Sequence, residues 1–388
     1  KGFWTPQPGA RSFPARSLAW RPSYRDAGLY WRSLAWVGMA VDLDLLRELT
    51  ETSGAPGHEE RVRDVVRAHL PDDVDDVQTD AMGNLVATVE GNQNPDFEVL
   101  VPAHMDEIGF IVKHVHDDGF VQVDTLGGWD PRILRAERAT VHTDEGDLPG
   151  VIGSPPPHID DNPYTRDRDE IRDVFIDLGL PADEVEDHVQ VGDTVTLSQN
   201  LEPVGDLVTA KALDNRVSVY AMLKAAQRTA PDVTVHWAAT TQEEVGLRGA
   251  EALGADVDPD LVLNLDTTVA NDIPQFVYEE DYVTEVGEGA AVKFKDGVVI
   301  PNPKVVDHLL DVADRQHIDH QREVLTAGGT DTGPLQRNHG ATPVGAISTP
   351  TRYLHTPVEA VHADDVDQVV DLTAAFLTSL DGTEDFTL

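Results

Sequence analysis

Residues 233–266 read VTVHWAATTQEEVGLRGAEALGADVDPDLVLNLD, and this stretch decides the fold. Val233 to Ala239 is a short run of apolar and β-branched residues, and Leu261 to Leu265 is a second. Residues 245–253, between them, carry apolar side chains at helical spacing. Strands with no polar face, separated by a helix, predict a buried and mostly parallel sheet. Both strands run out into acids. The first passes through Thr240, Thr241 and Gln242 into Glu243-Glu244, and the second ends on Asp266. Ligands of open α/β sheets gather at the carboxyl ends of strands.

The same rhythm continues on either side. Helices are predicted at 217–226, 304–315 and 366–380, with a strand at 342–347. Towards the start, Leu43, Leu45, Leu46 and Leu49 make a helical stripe, broken by Ser53-Gly54-Ala55-Pro56-Gly57. Glu59 and Glu60 then open a second helix, where acids suit the positive helix end. Its buried face is Val62, Val65, Val66 and Leu70, and strands follow near 84–90 and 98–103. Residues 109–197 read differently. Strands at 110–115 and 120–123 are joined by Asp117-Asp118-Gly119, a hairpin turn. Further strands are predicted at 139–142 and 194–197, with one helix near 168–178. The expected fold is α/β, a mostly parallel sheet with helices on both faces. It is built from residues 39–108 and 198–388, with a β-rich domain, 109–197, inserted between them.

The composition narrows the functions. The chain has 388 residues, enough for two domains, and 40% are hydrophobic. Seventy acidic residues against 29 Lys plus Arg give a net charge of −41. That field repels phosphate backbones and anionic membranes, so neither nucleic acid nor membrane is expected as a partner. A surface so rich in carboxylates suits concentrated salt, and a salt-loving source is expected. There are no cysteines, which excludes disulfides and thiolate ligands. Any metal must be held by imidazole and carboxylate. No apolar run approaches the ~20 residues of a membrane span, and a cytoplasmic location is expected. Residues 1–38 stand apart. They hold six of the basic residues, one acid, four of the six tryptophans and the string RSLAW twice, leaving 23 basic and 69 acidic residues for 39–388. Met39 is the expected true start, and 1–38 an atypical leader, disordered or not native.

Candidate chemistry sits at the strand ends. The run Val99-Leu100-Val101-Pro102-Ala103 leads into His104-Met105-Asp106-Glu107, and 342–347 leads towards His355. Asp214 precedes a helix. Each has an innocent reading: an Asp before a helix more often caps it, and paired acids at a helix start more often offset its dipole. Five such groups delivered to one sheet edge point instead to metal-assisted hydrolysis. Two ions about 3.5–4 Å apart supply a Lewis acid and an activated water, and need carboxylates and imidazoles with one carboxylate shared. A further carboxylate must stay free to take the water's proton, and Glu243-Glu244 suits that division. Asp106 lies two residues beyond His104 on the same side of an extended strand, where it can hold the imidazole. Gly328, Gly329, Thr330 and Asp331 are candidates for a substrate pocket, since glycines let backbone approach a ligand closely.

At these residues the chain resembles the M42 family of metallo-aminopeptidases, which includes the large tetrahedral archaeal aminopeptidases. The motifs are AHMDEIGFIV (103–112), GGWDPR (127–132), KALDNR (211–216), QEEVGLRGA (242–250), LNLDTT (263–268), GGTDTG (328–333) and RYLHTPVE (352–359). The resemblance implies that His104 and Asp266 bind one metal, Glu244 and His355 a second, and Asp214 both. It implies Glu243 as general base, Asp106 as support, and two zinc or cobalt ions. The substrates would be short peptides with free N-termini. Residues 109–197 would serve dimerisation within a dodecameric shell. His158, in Pro155-Pro156-Pro157-His158, is assigned no catalytic part. Rival readings are another di-metal amide hydrolase, such as a deacylase or carboxypeptidase, and a non-catalytic assembly protein. An acidic nucleic-acid mimic or chaperone would explain the charge but not the strand ends.

Overall fold

A computed structural model of the chain describes residues 41–156, 158, 170–275 and 282–388. The leader expected at 1–38 lies outside the described residues. Helices α1 (Leu43–Glu51) and α2 (Glu60–Ala68) precede strands β1 (Asp76–Thr79), β2 (Leu85–Val89) and β3 (Asn94–His104). Strands β4 (Gly109–Val115), β5 (Val121–Leu126), β6 (Arg138–Thr143), β7 (Gly146–Ile152) and β8 (Phe175–Asp177) follow, then helix α3 (Ala182–His188) and strand β9 (Thr194–Leu197). The chain continues through β10 (Glu202–Val204), β11 (Leu207–Ala210), α4 (Leu213–Arg228), β12 (Val233–Thr240), α5 (Arg248–Asp256) and β13 (Leu261–Val269). It ends through β14 (Ala290–Lys295), α6 (Pro303–Gln316), β15 (His320–Val324), α7 (Thr332–Gln336), β16 (Val344–Arg352), β17 (Glu359–His362) and α8 (Ala363–Ser379).

Eleven of these strands form one sheet. Its middle is the parallel set β12–β3–β13–β16. These strands alternate between two covered faces, as period-two geometry requires. Val99, Val101, Trp237, Leu261 and Leu263 join the cluster of α1, α4, α6 and α8. Leu100, Ala238, Val262 and Val344 join the one formed with α5 and α7. The expected mostly parallel sheet is parallel through this middle and at β14–β15 only. Its flanks, β1–β2–β12 and β16–β17–β11–β10, are antiparallel, as is β14 on β16. Short connections explain three of these pairings: five residues join β1 to β2, two join β10 to β11 and six join β16 to β17. A parallel return needs a crossover of about a dozen residues or more.

Strands β4–β5–β8–β7–β6–β9 close into an antiparallel barrel around Phe110, Val121, Val141, Ile176 and Val195. Trp129 stacks on Phe110 at 4.9 Å and donates its Nε1–H to the Gly109 carbonyl. The expected turn is present, with Gly119 at φ +85° donating to the His116 carbonyl at 2.8 Å. The helix expected near 168–178 is not found among the described residues. A 3-10 turn, Ile171–Asp173, leads into β8 there. Ile176 is buried between two exposed neighbours, because barrel closure demands a strand and tertiary pairing overrides local propensity. Helix α5 begins three residues after the predicted 245, for a reason that the site supplies.

Below the end of β3 lies a knot of buried charge. Lys211 Nζ sits 2.6 and 2.8 Å from the Glu107 carboxylate, which also accepts the Gly54 N–H at 3.1 Å. Arg216 is fully buried, and it donates from Nε to the Met105 carbonyl at 2.7 Å. Its Nη1 donates to the Thr52 carbonyl at 2.8 Å and also to that of Leu49. Gly54 must be glycine, since a Cβ there would lie 2.7 Å from Val62 and 2.9 Å from Arg216. The knot ties α1, the 52–55 loop, the end of β3 and the start of α4 together. Removing one partner strands the other charge. Arg216→Ala is therefore expected to lower stability by about 3–5 kcal/mol, read from the denaturant midpoint.

Candidate metal centre

The parallel register carries polar residues to one edge. His104 ends β3 and pairs with Thr240, the last residue of β12. Asp266 lies on β13 opposite Ser348 of β16. Glu243 and Glu244 follow β12 by three and four residues, and His355 follows β16 by three. Asp214 is the second residue of α4, but its backbone is not yet helical (φ −77°, ψ 107°). It caps nothing: its side chain points between two imidazoles.

Asp214 Oδ1 lies 3.3 Å from His104 Nε2, and Oδ2 lies 3.4 Å from His355 Nε2. Asp266 Oδ1 is 3.8 Å from His104 Nε2, and Glu244 Oε1 is 3.5 Å from His355 Nε2. Glu243 is more withdrawn, its Oε2 4.0 Å from His104 Nε2. Ligand-type atoms fall within 4.8 Å of one another in three groups: His104, Asp214 and Asp266; Asp214, Glu244 and His355; and His104, Glu243 and Glu244. Asp214 belongs to the first two.

Two further carboxylates hold these residues by their backbone. Asp106 accepts the N–H of Glu243 at 3.0 Å and of Glu244 at 3.1 Å, and its Oδ1 lies 3.5 Å from His104 Nδ1. This explains the late start of α5, because these N–H groups turn to Asp106 and residues 244–246 form a turn. Glu359, fully inside the protein, accepts the N–H of Asp214 at 2.9 Å and of His355 at 2.8 Å. The sequence reading gave Glu359 no role, though it closes the motif RYLHTPVE. The imidazole of His355 is oriented by the Gly128 carbonyl, 3.1 Å from Nδ1. A carbonyl only accepts, so Nδ1 carries the proton and Nε2 is left free to ligate. Ala212, Gln242, Leu247, Tyr353 and His355 all adopt left-handed backbone (φ 53 to 60°). Each costs about 1–2 kcal/mol, and strain of this kind collects at functional sites.

Packing these charges in a dry place strains their titration. Burial pushes Glu243 well up, Glu244 to about 8 and Asp266 to about 7, with neighbouring carboxylates adding to the effect. Burial also opposes ionisation of Asp214, but the imidazoles of His104 and His355 beside its two oxygens outweigh it and hold that carboxyl well below the usual range. Burial would lower both imidazoles, yet the surrounding carboxylates raise His104 well up and His355 to about 10. Such mutual repulsion is what a divalent cation relieves. His104 Nδ1 and Asp214 Oδ1 are buried with no hydrogen-bond partner. An all N/O donor set with an orphaned shared carboxylate fits hard or borderline cations such as zinc.

The cluster faces a cavity of about 400 Å³. Gly328, Gly329 and Thr330 are among the residues that line it. Asp331 is not among the lining residues. It is buried behind, accepting the Thr240 hydroxyl at 2.5 Å, and burial raises it to about 6.

The chain matches the family model described as M42 glutamyl aminopeptidase over residues 83–372. The putative aminopeptidase FrvX of Escherichia coli strain K12 is 34% identical over 345 residues, spanning 88% of this chain and 96% of its own. An aminopeptidase of the archaeon Desulfurococcus kamchatkensis superposes with a TM-score of 0.83 at 35% identity, covering 90% of this chain and 96% of the other. The TET1 peptidase of Pyrococcus horikoshii, which can assemble into a tetrahedron or a large octahedral shell, gives 0.76 at 28% identity over 87% of this chain and 99% of its own.

Glu359→Gln offers one acceptor and an opposing amide to two N–H groups. It is expected to weaken binding of a divalent cation by about 10–100-fold while leaving the fold intact, measured by competition with a zinc chelator.

Proposed function

The chain belongs to the M42 peptidase family, and on that premise we propose that it releases N-terminal residues from short peptides at the His104–His355 cluster. The family match and the aminopeptidase relatives make it a peptidase hydrolase. One observation carries the finer reading. The two oxygens of Asp214 face different imidazoles, so one carboxylate serves two separate ligand groups.

His104 and Asp266 would hold one ion, Glu244 and His355 the other, and Asp214 both. Zinc and cobalt both suit these donors. When bound, the ions supply Lewis acidity and lower the pKa of a water. The residues of the chain do the rest. Of the carboxylates within 4.0 Å of His104 or His355, Glu243 stands furthest off, and its burial raises its proton affinity. It takes the proton of the attacking water and returns it to the departing amine. Asp106 fixes the Glu243-Glu244 backbone, and Glu359 fixes Asp214 and His355. The largely buried setting keeps bulk water from screening these charges.

We further read residues 109–197 as a domain for self-association into dimers and a larger shell. Phe120, Phe175 and Leu180 are exposed on that barrel, and a family relative is described as a shell-forming assembly. Other di-metal amide hydrolases would share the ligands, and a blocked N-terminus separates them.

The test is amino-acid release from free and N-acetylated peptides, with zinc or cobalt, in concentrated salt to screen the acidic surface. Chelator-sensitive release from free peptides alone supports the proposal, and cleavage of acetylated peptides defeats it. Glu243→Gln should keep its metal, counted by atomic emission, and lose roughly 10²–10⁴-fold in kcat. Asp214→Ala should lose both ions.

A further inference from the structure

The cavity beside the candidate centre has a second character. Its acids and imidazoles are the candidate ligands and the candidate base Glu243. Its other side chains are uncharged, and six of them are apolar: Leu247, Val269, Val298, Leu325, Ala327 and Leu354. No Lys or Arg among the described residues lines it.

A buried cation lies behind this wall and is already committed. Lys293 is fully enclosed behind the wall, paired with Glu323 and 3.8 Å from Asp296. Glu323 accepts the Thr268 hydroxyl at 2.8 Å, and the Thr330 hydroxyl has Thr332 Oγ1 at 2.9 Å and Asp296 at 3.3 Å as its acceptors. These two lining hydroxyls therefore spend their protons on the network behind them. Asp296 also accepts the N–H groups of Val298 and Val299, both at 2.8 Å, and so anchors the apolar wall. Gly329 and Gly333 make room for that wall, since a Cβ on either would lie 2.7 Å from Val298 Cγ2.

From this geometry we infer that the cavity accepts the first residue of the substrate and selects a neutral, aliphatic side chain, with Val298 and Leu325 as specificity-determining residues. The inference rests on the aminopeptidase reading above. A glutamate side chain would enter without a cation to meet it. A lysine side chain would find its carboxylates engaged as ligands or, at Glu243, in proton transfer. Either would shed its hydration without compensation. An aliphatic chain gains about fourfold in kcat/KM for each methylene it buries. The family description names glutamyl substrates, and this wall lacks the charge that such a preference requires.

The experiment compares kcat/KM for leucyl, glutamyl and lysyl p-nitroanilides, using the full chain loaded with zinc or cobalt in concentrated salt. The leucyl substrate should exceed both others by at least about tenfold. Leu325→Arg should raise the glutamyl-to-leucyl ratio by about tenfold or more at unchanged metal content. Val298→Arg, at an exposed position, gives the same reading if the first variant fails to fold. A wild-type preference for glutamyl or lysyl substrate overturns this inference and leaves the aminopeptidase reading standing. An unmoved ratio in folded, metal-loaded variants also overturns it. No turnover of any free substrate, with metal bound, overturns both.

Discussion

The carboxylate of Asp214 lies between the imidazoles of His104 and His355, and the rest of the site is arranged to keep it there. Its backbone N–H is held by Glu359, which also holds His355. The next residue, Asn215, donates its side-chain amide to the Leu265 carbonyl at 3.1 Å, one position before Asp266. Arg216 then pins the start of α4 to the segment following His104. Three consecutive residues thus connect one helix start to the segments that carry His355, Asp266 and His104.

This arrangement runs against ordinary folding preferences. Carboxylates repel one another in a dry pocket, and non-glycine residues beside them take left-handed backbone. These costs are local, and the rest of the domain offsets them. Strands β12, β13 and β16 are buried almost along their length, and helices cover both faces. A fully buried leucine such as Leu46 or Leu263 contributes roughly 1.5–3 kcal/mol. The rigid sheet also sets the spacing of the ligand groups, because parallel pairing leaves little freedom in where His104 and Asp266 end.

The sequence was most legible where burial is continuous. The strands at 233–239 and 261–265 lie within β12 and β13, and the helix at 304–315 lies within α6. It was least legible where partners outvote local pattern. Ile171–Asp177 looks helical in isolation, yet barrel closure draws Ile176 into a strand. The edge pairings of β10, β11 and β17 leave almost no periodicity in strands of three or four residues. Three of the antiparallel pairings, β1–β2, β10–β11 and β16–β17, follow from loop lengths, which the apolar pattern does not report.

The sequence by itself determined the chemistry available. Without cysteine, the donors could only be imidazole nitrogen and carboxylate oxygen, and their places at strand ends were visible from the apolar runs before them. The tertiary structure alone decided which groups meet. Residues 104, 214, 244, 266 and 355 are far apart in the chain, and their separations depend on strand register and on the first turn of α4. It also separated roles that look alike in sequence. Asp106 and Glu359 bind backbone, Asp331 sits behind the cavity, and Lys293 is neutralised beneath its wall. In a chain with 70 acids, residue type carries little information about role. Burial and the nearest hydrogen-bond donor assign it, and both exist only once the chain has folded.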